Sequence, residues 1–315
     1  MSALQGTRGK TNWRRALRQQ RRLYQLYLMI LLPLAYLLIF QYGPMMGVTI
    51  AFKDFQAGKG IFGSPWAGFK HFERFFASHN FGIILRNTLT LSVYSLFANF
   101  PIPILLALGI HSCVRPGYKK TVQMATYAPY FLSVTVVVSM LNQFFAEKTG
   151  VVNMLLSLVT GQRISFLTKA SMFPHLYVWS GVWQIIGYAS IIYIATLAGV
   201  DPTLHEAATV DGANKFKRLI HIDLPAIIPT ATILLILNIG QLMSVGFEKV
   251  YLMQNSANIA RSQIISTYIY QQSIGSEIPN FSYSTAVGLF NSLVNFTLLL
   301  FGNTLANKIN DGGLF

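Results

Sequence analysis

Residues 173–198 read FPHLYVWSGVWQIIGYASIIYIATLA, an unbroken run without a single Asp, Glu, Lys or Arg. A helix rises roughly 1.5 Å per residue and needs about 20 apolar residues to cross a bilayer core, so this run is long enough to span. Outward from it, comparable blocks occupy residues 24–47, 82–110, 121–145, 225–247 and 283–306, which makes six in all. The chain of 315 residues is 53% hydrophobic and only 11% charged, too little charge to cover a soluble globule. The expected fold is therefore an all-α polytopic membrane protein with six transmembrane helices, both ends on the same side.

The first block is longer than the apolar region of a signal peptide, about 7–15 residues, and has no small-residue cleavage site, so it reads as a retained anchor. The formal charge of +14 follows largely from topology. Fourteen Lys and Arg fall on one side: Arg8, Lys10, Arg14, Arg15, Arg18, Arg21, Arg22, Arg115, Lys119, Lys120, Lys215, Lys217, Arg218 and Lys308. Roughly nine fall in the opposite loops, so the positive-inside rule places both termini in the cytoplasm. The expected divisions are a basic cytoplasmic segment 1–23, a membrane domain 24–308 and a tail 309–315. Orientation against a lipid bilayer accounts for the basic start better than binding to nucleic acid does.

The single Cys113 cannot form an intrachain disulfide, and the six His show no recognised metal-binding spacing. His205-Glu206 opens like a metalloprotease motif, but Thr209 stands where the second His belongs. No catalytic residue, metal or cofactor is expected on this chain.

The outer loops are expected at 48–81, 146–172 and 248–282. The first is rich in Gly and aromatic residues, and turns held by buried aromatics are expected in it. The cytoplasmic loop 199–224 is more informative. Asp201-Pro202 is a helix start, since Asp accepts from free backbone N–H groups and Pro wastes none at the first helical position. A helix should run over 202–211, Gly212 should close it in the left-handed conformation, and a short second helix should cover 213–221. The first helix presents Glu206 beside the small Ala207 and Ala208, which lets another protein's surface approach closely.

The segment Glu206-Ala207-Ala208-Thr209-Val210-Asp211-Gly212-Ala213, with the trailing Ile222-Asp223-Leu224-Pro225, resembles the EAA motif of ABC importer permeases. Tyr42-Gly43-Pro44-Met45 through Ala51-Phe52-Lys53-Asp54, Gly63-Ser64-Pro65-Trp66 and Val245-Gly246-Phe247-Glu248-Lys249-Val250 resemble the sugar permeases that import oligosaccharides, including fragments of acidic polysaccharides such as alginate or pectin. Glu248 stands where Asp is expected in many relatives, with the carboxylate kept. The resemblance implies the type I importer fold in a bacterial cell membrane. It implies a second, related permease making a heterodimer, an extracytoplasmic solute-binding protein, and a cytoplasmic ABC ATPase dimer that holds ATP and Mg. It also implies that Glu206, Ala207, Ala208, Asp211, Gly212 and Ala213 form the helix that couples to that ATPase.

The spans themselves agree with an outside motor. No Asp, Glu or Lys lies within an expected span, Arg86 being the nearest charge, whereas ion-coupled carriers usually carry ionisable or unwound ion-binding groups there. No G-x-x-x-x-G-K-[ST] sequence is present to cradle ATP.

Polar span residues are mostly amides: Asn87, Asn99, Asn142, Gln143, Gln184, Asn238, Gln241, Asn291 and Asn295. Amides donate and accept, which suits sugar hydroxyls, although they also join packed membrane helices. Asn238 with Gln241 and Asn291 with Asn295 each share a helical face. Trp183, Gln184 and Tyr188 fall near the middle of the fourth block. These seven are the candidate lining of a substrate pathway. The alternatives are a carrier for another solute and a membrane-embedded glycan or lipid enzyme, but the enzyme needs clustered acids, His or a nucleophile that the sequence does not group.

Overall fold

The computed structural model describes residues 24–310; the basic segment 1–23 and residues 311–315 lie outside the described residues, and with the former seven of the fourteen charges that set the expected orientation. Among the described residues the chain is helical, with a single isolated bridge between Lys53 and Trp66 in place of any sheet.

Five stretches are long and apolar enough to cross a membrane: Tyr24–Phe52, His79–His111, Ala170–Ala198, Lys215–Gly240 and Phe281–Thr304. The first contains α1 (Tyr24–Leu37), which buries no residue against the rest of the chain, whereas its far end, 46–52, packs on the last helix. A short helix α2 (Lys70–Phe76) precedes the second stretch, α3 (His79–Asn99) joined to α4 (Pro101–His111). Ser78 caps α3 by accepting from the Asn80 backbone N–H.

The third expected span differs from the uninterrupted helix over 121–145. It is a broken pair, α5 (Pro116–Tyr127) and α6 (Val134–Phe144), with a bend of 102° between the halves. Pro129 supplies no backbone N–H there, and Leu132 and Ser133 are extended before Ser133 caps α6. The apolar composition runs straight through the break, so hydropathy alone reads one helix.

On the cap face, α7 (Val151–Thr160) ends at Gly161 in the left-handed conformation. The long α8 (Phe173–Ala198) then crosses back through the centre of the bundle, packing on α3, α4 and α5. After the loop helix α9 (Pro202–Val210), α10 (Leu224–Gly240) makes the fifth crossing. It stops short of the expected 225–247: the chain turns at 241–246 and resumes as α11 (Phe247–Met253). Asn295 makes that stop tolerable, its Oδ1 accepting from Met243 N at 2.8 Å and its Nδ2 donating to Ser244 Oγ at 2.9 Å. A further cap helix α12 (Ile265–Gln272) leads to α13 (Phe281–Asn310).

Packing divides along the bundle. Near the cap, Phe75, Ile84, Tyr268, Tyr283 and Val287 form one core. Leu91, Val138, Phe173, Val250 and Ile264 form a second, and Ala107, Leu108, Tyr193, Leu197 and Ile227 a third toward the α9 end. At the crossing of α5 and α8, a Cβ on Gly187 would lie 2.1 Å from the Thr126 carbonyl oxygen, so only glycine fits.

The first cap loop departs from the expected buried aromatic turns. Phe52 stacks on Trp66 with centroids 5.8 Å apart and also meets Phe69 and Phe72, yet Trp66 and Phe69 are 69% and 67% exposed. Polar contacts hold the turn instead. Lys53 Nζ donates to the carbonyls of Ile61 and Phe62, and Ser282 Oγ accepts from Phe55 N while donating to the Lys53 carbonyl. Lys70 pairs with Asp54 at 2.8 Å and holds that carboxyl below its usual range.

Candidate functional site

A cavity of about 480 Å³ opens between α3, α8, the end of α10 and α11. Ser92, Ser95 and Asn99 line it from α3, and Gln184 from α8. Asn238, Gln241 and Ser244 come from the end of the fifth crossing, with Glu248 and Lys249 from α11. The early stop of α10 creates this lining, because it exposes 241–246 to the cavity where a continuing helix would bury part of its surface.

Lys249 is the electrostatic centre of the wall. Its side chain is only 8% exposed, Nζ donates to the Tyr177 carbonyl at 3.1 Å, and the ammonium sits 5.1 Å from the Tyr177 ring centroid. Burial pushes its pKa down to about 8, so it is mostly charged at neutral pH. Sequence alone does not single out this residue, because it follows an apolar block and reads as a loop lysine. The visible signal is its place one residue beyond Glu248, in the stretch that carries the family resemblance.

Three of the seven candidate pathway residues, Gln184, Asn238 and Gln241, meet in this cavity. Gln184 also has a structural bond, Nε2 donating at 2.9 Å to the Leu132 carbonyl freed by the bend of the third crossing. Tyr188 lies one step away, in a neighbouring cavity of about 690 Å³ that shares Asn99, Phe100, Ile185 and Asn238 with the first. There it stacks face to face on Tyr130, centroids 3.8 Å apart. Trp183 points elsewhere, into an apolar hollow with Trp179, Met140 and Phe144, because adjacent helical residues diverge by about 100°. Asn295 is occupied in holding 243–244, and Asn291 Oδ1 is buried without a hydrogen-bond partner; neither lines the cavity. Asn87, another span amide, holds the cap by donating to the carbonyls of Ala260 and Gln263.

At the opposite end, α9 begins where the Asp201 carboxylate accepts from Thr203 N at 2.9 Å, a bond that holds the carboxyl below its usual range. Gly212 has φ +75°, and Ala213 N returns to the Ala208 carbonyl at 2.8 Å to close the helix. Glu206, Ala207, Asp211 and Gly212 are exposed, while Ala208 and Ala213 are half-buried. The second element is not the separate short helix expected over 213–221: Lys215–Arg218 is α-helical, and a π turn, Leu219–Asp223, runs directly into α10. Arg218 Nη1 donates to Thr209 Oγ1 at 2.8 Å, tying the two parts together. Leu204, Val210 and Phe216 are 52%, 88% and 69% exposed, an apolar set on a charged loop.

A polytopic helical chain with a polar cavity among its spans and a helical loop at one end is a membrane transport subunit. Residues 99–311 match the family described as "Binding-protein-dependent transport system inner membrane component", and the chain belongs to that family of ABC transporter permeases. It is a multi-pass protein of the cell membrane. It is 44% identical over 310 residues to Protein LplB of Bacillus subtilis (strain 168), spanning 98% of this chain and 96% of that one. It is 42% identical over 290 residues to the polygalacturonan/rhamnogalacturonan transport system permease protein YteP of the same organism, covering 92% of this chain and 90% of that protein. Among solved structures, a bacterial ABC transporter involved in import of the acidic polysaccharide alginate superposes with a TM-score of 0.86 at 38% identity, covering 94% of this chain and 99% of the other. A second structure of a bacterial alginate ABC transporter, in complex with an alginate pentasaccharide-bound periplasmic protein, matches with the same TM-score at 37% identity, over 94% of this chain and 99% of that one.

Proposed function

We propose that this permease carries acidic oligosaccharides inward, as one half of a pathway completed by a second, related permease. The observation that carries the substrate class is the cavity wall, in which Asn99, Asn238 and Gln241 offer neutral hydrogen-bonding groups and Lys249 a nearly buried ammonium. Amides match sugar hydroxyls, and the one partly desolvated cation among them favours a carboxylated sugar over a neutral one, since the neighbouring Glu248 carboxylate is exposed and screened by water. The polygalacturonan and alginate systems among the similar proteins support the same class.

In this reading both termini are cytoplasmic, the cap formed by α2, α7, α11 and α12 faces outward, and a solute-binding protein delivers the sugar there. The exposed face of α9, from Glu206 to Ala213, docks into a cytoplasmic ABC ATPase dimer, which binds ATP and Mg and hydrolyses the ATP. Closure of the ATPases moves α9 and, through the continuous π turn, α10; the permease then exposes its cavity alternately to the two sides.

The test is reconstitution in proteoliposomes with ATPase, second permease and binding protein. ATP-dependent uptake of oligogalacturonides in excess of neutral oligosaccharides of equal length is expected. Equal uptake of the neutral oligomers overturns the substrate class, and uptake by this chain without an ATPase overturns the coupling.

A further inference from the structure

Where α4 ends, α9 passes and α10 begins, His111, His205 and Asp223 converge so that one ligating atom from each lies within 4.8 Å of the other two. They are distant in sequence, which is why no spacing motif reveals them. Asp223 is 4% exposed, and its Oδ1 lies 3.2 Å from His205 Nε2 and 3.7 Å from His111 Nε2. Despite the short distance, Asp223 Oδ1 and His205 Nε2 are both buried without a hydrogen-bond partner. A buried carboxylate oxygen left unsatisfied is costly. Two ligand atoms at ion-pair distance with no hydrogen bond between them is the arrangement expected around a shared third atom.

The spacing fits such an atom. Ligands bound to a tetrahedral ion at about 2.0–2.2 Å lie about 3.3–3.6 Å apart; the edges from Asp223 Oδ1, 3.2 and 3.7 Å, bracket that value, and all three atoms lie within 4.8 Å of one another. Two imidazoles and one carboxylate are the donor set of borderline divalent ions, softer than the all-oxygen sets that calcium and magnesium take. The imidazoles are 28% and 27% exposed, which leaves a path for an ion to enter and a place for a water as fourth ligand.

We propose that His111, His205 and Asp223 bind one divalent transition-metal ion of the zinc class, fastening the loop helix α9 to the ends of α4 and α10. The site stands on geometry alone; only its consequence for energy coupling rests on reading α9 as the ATPase-docking helix. Binding is therefore the quantity to measure, on the full-length chain purified without a polyhistidine tag and freed of metal by chelation.

Titration with Co²⁺ should give the visible ligand-field bands of a low-coordinate site, saturating at one ion per chain and bleached by Zn²⁺. His111→Gln and His205→Gln should each weaken Co²⁺ binding at least tenfold, while His221→Gln, whose ring Nδ1–H donates to the Lys217 carbonyl outside the cluster, should bind as the parent does. His111→Gln lies at a half-buried helix end and guards against misfolding of an Asp223→Asn variant. Absence of saturable binding, or binding unchanged by both ligand substitutions, overturns the proposal and leaves a plain His–Asp ion pair.

Discussion

The Gln184 side-chain amide donates to the Leu132 backbone carbonyl at 2.9 Å, joining the central helix to the point where the third crossing bends by 102°. The bend frees backbone groups at membrane depth, where no water replaces a lost partner. One residue therefore both lines the polar cavity and closes a break in the fold.

Gln184→Leu should accordingly lower the thermal stability of the detergent-purified chain, by about 1–3 kcal/mol for a buried carbonyl left unpaired. Asn238→Ala, in the same cavity, loses only a bond to the Leu234 carbonyl of its own helix. Its melting temperature should match the parent while uptake falls. Equal melting temperatures for the two variants would remove the structural role of Gln184.

Gly187→Ala tests the crossing of α5 and α8. The added methyl would meet the Thr126 carbonyl carbon at 2.3 Å as well as its oxygen, and these backbone atoms cannot rotate away as a side chain would. Overpacking of this kind costs about 1–3 kcal/mol. Yield of folded chain and melting temperature should both drop. Gly109→Ala serves as the control, since nothing lies within 4 Å of its Cβ position.

These two contacts mark the boundary of what the sequence made legible. Span number and the α9 loop were readable because each has a local cause: an uncharged run long enough to cross, and Asp201, Pro202 and Gly212 at the two ends of a helix. The break at Leu132 and the stop at Gly240 were not, because hydropathy stays high through both and the groups that stabilise them, Gln184 and Asn295, come from other helices. For the same reason amide composition identified the cavity only in part. Gln184, Asn238 and Gln241 line the cavity, Asn295 is taken up by the fold, and Lys249 stands out only through its burial against Tyr177.

Lys249 should give acidic-sugar transport a pH dependence of definite sign. With a pKa of about 8, the ammonium is mostly protonated at pH 7 and about nine-tenths neutral at pH 9. Affinity of the assembled importer for an oligogalacturonide should fall as pH rises through about 8, because the cation facing the carboxylate is lost. Lys249→Arg keeps its charge throughout and should abolish the step; Lys249→Met should transport weakly at every pH. Uptake assays at fixed ionic strength check this, and a step that persists in Lys249→Met assigns it to another group.

Gly212 separates backbone conformation from side-chain contact in the loop proposed to dock. Its φ of +75° lies in the left-handed region, yet nothing stands within 4 Å of the position a Cβ would take. A substitution there strains the backbone without creating a clash, by roughly 1–2 kcal/mol for most L-residues and less for Asn. That strain opposes the closure in which Ala213 N reaches the Ala208 carbonyl, and so loosens the end of α9 while leaving Glu206 chemically intact. Loss of coupling, read as ATP hydrolysed per sugar transported, should follow the strain: Gly212→Asn mildest, Gly212→Ala intermediate and Gly212→Val largest. Glu206→Ala should uncouple with the loop geometry unchanged, since its effect is on the docking surface itself. If all three Gly212 variants transport at the parent's ratio, the left-handed turn at the end of α9 has no part in coupling.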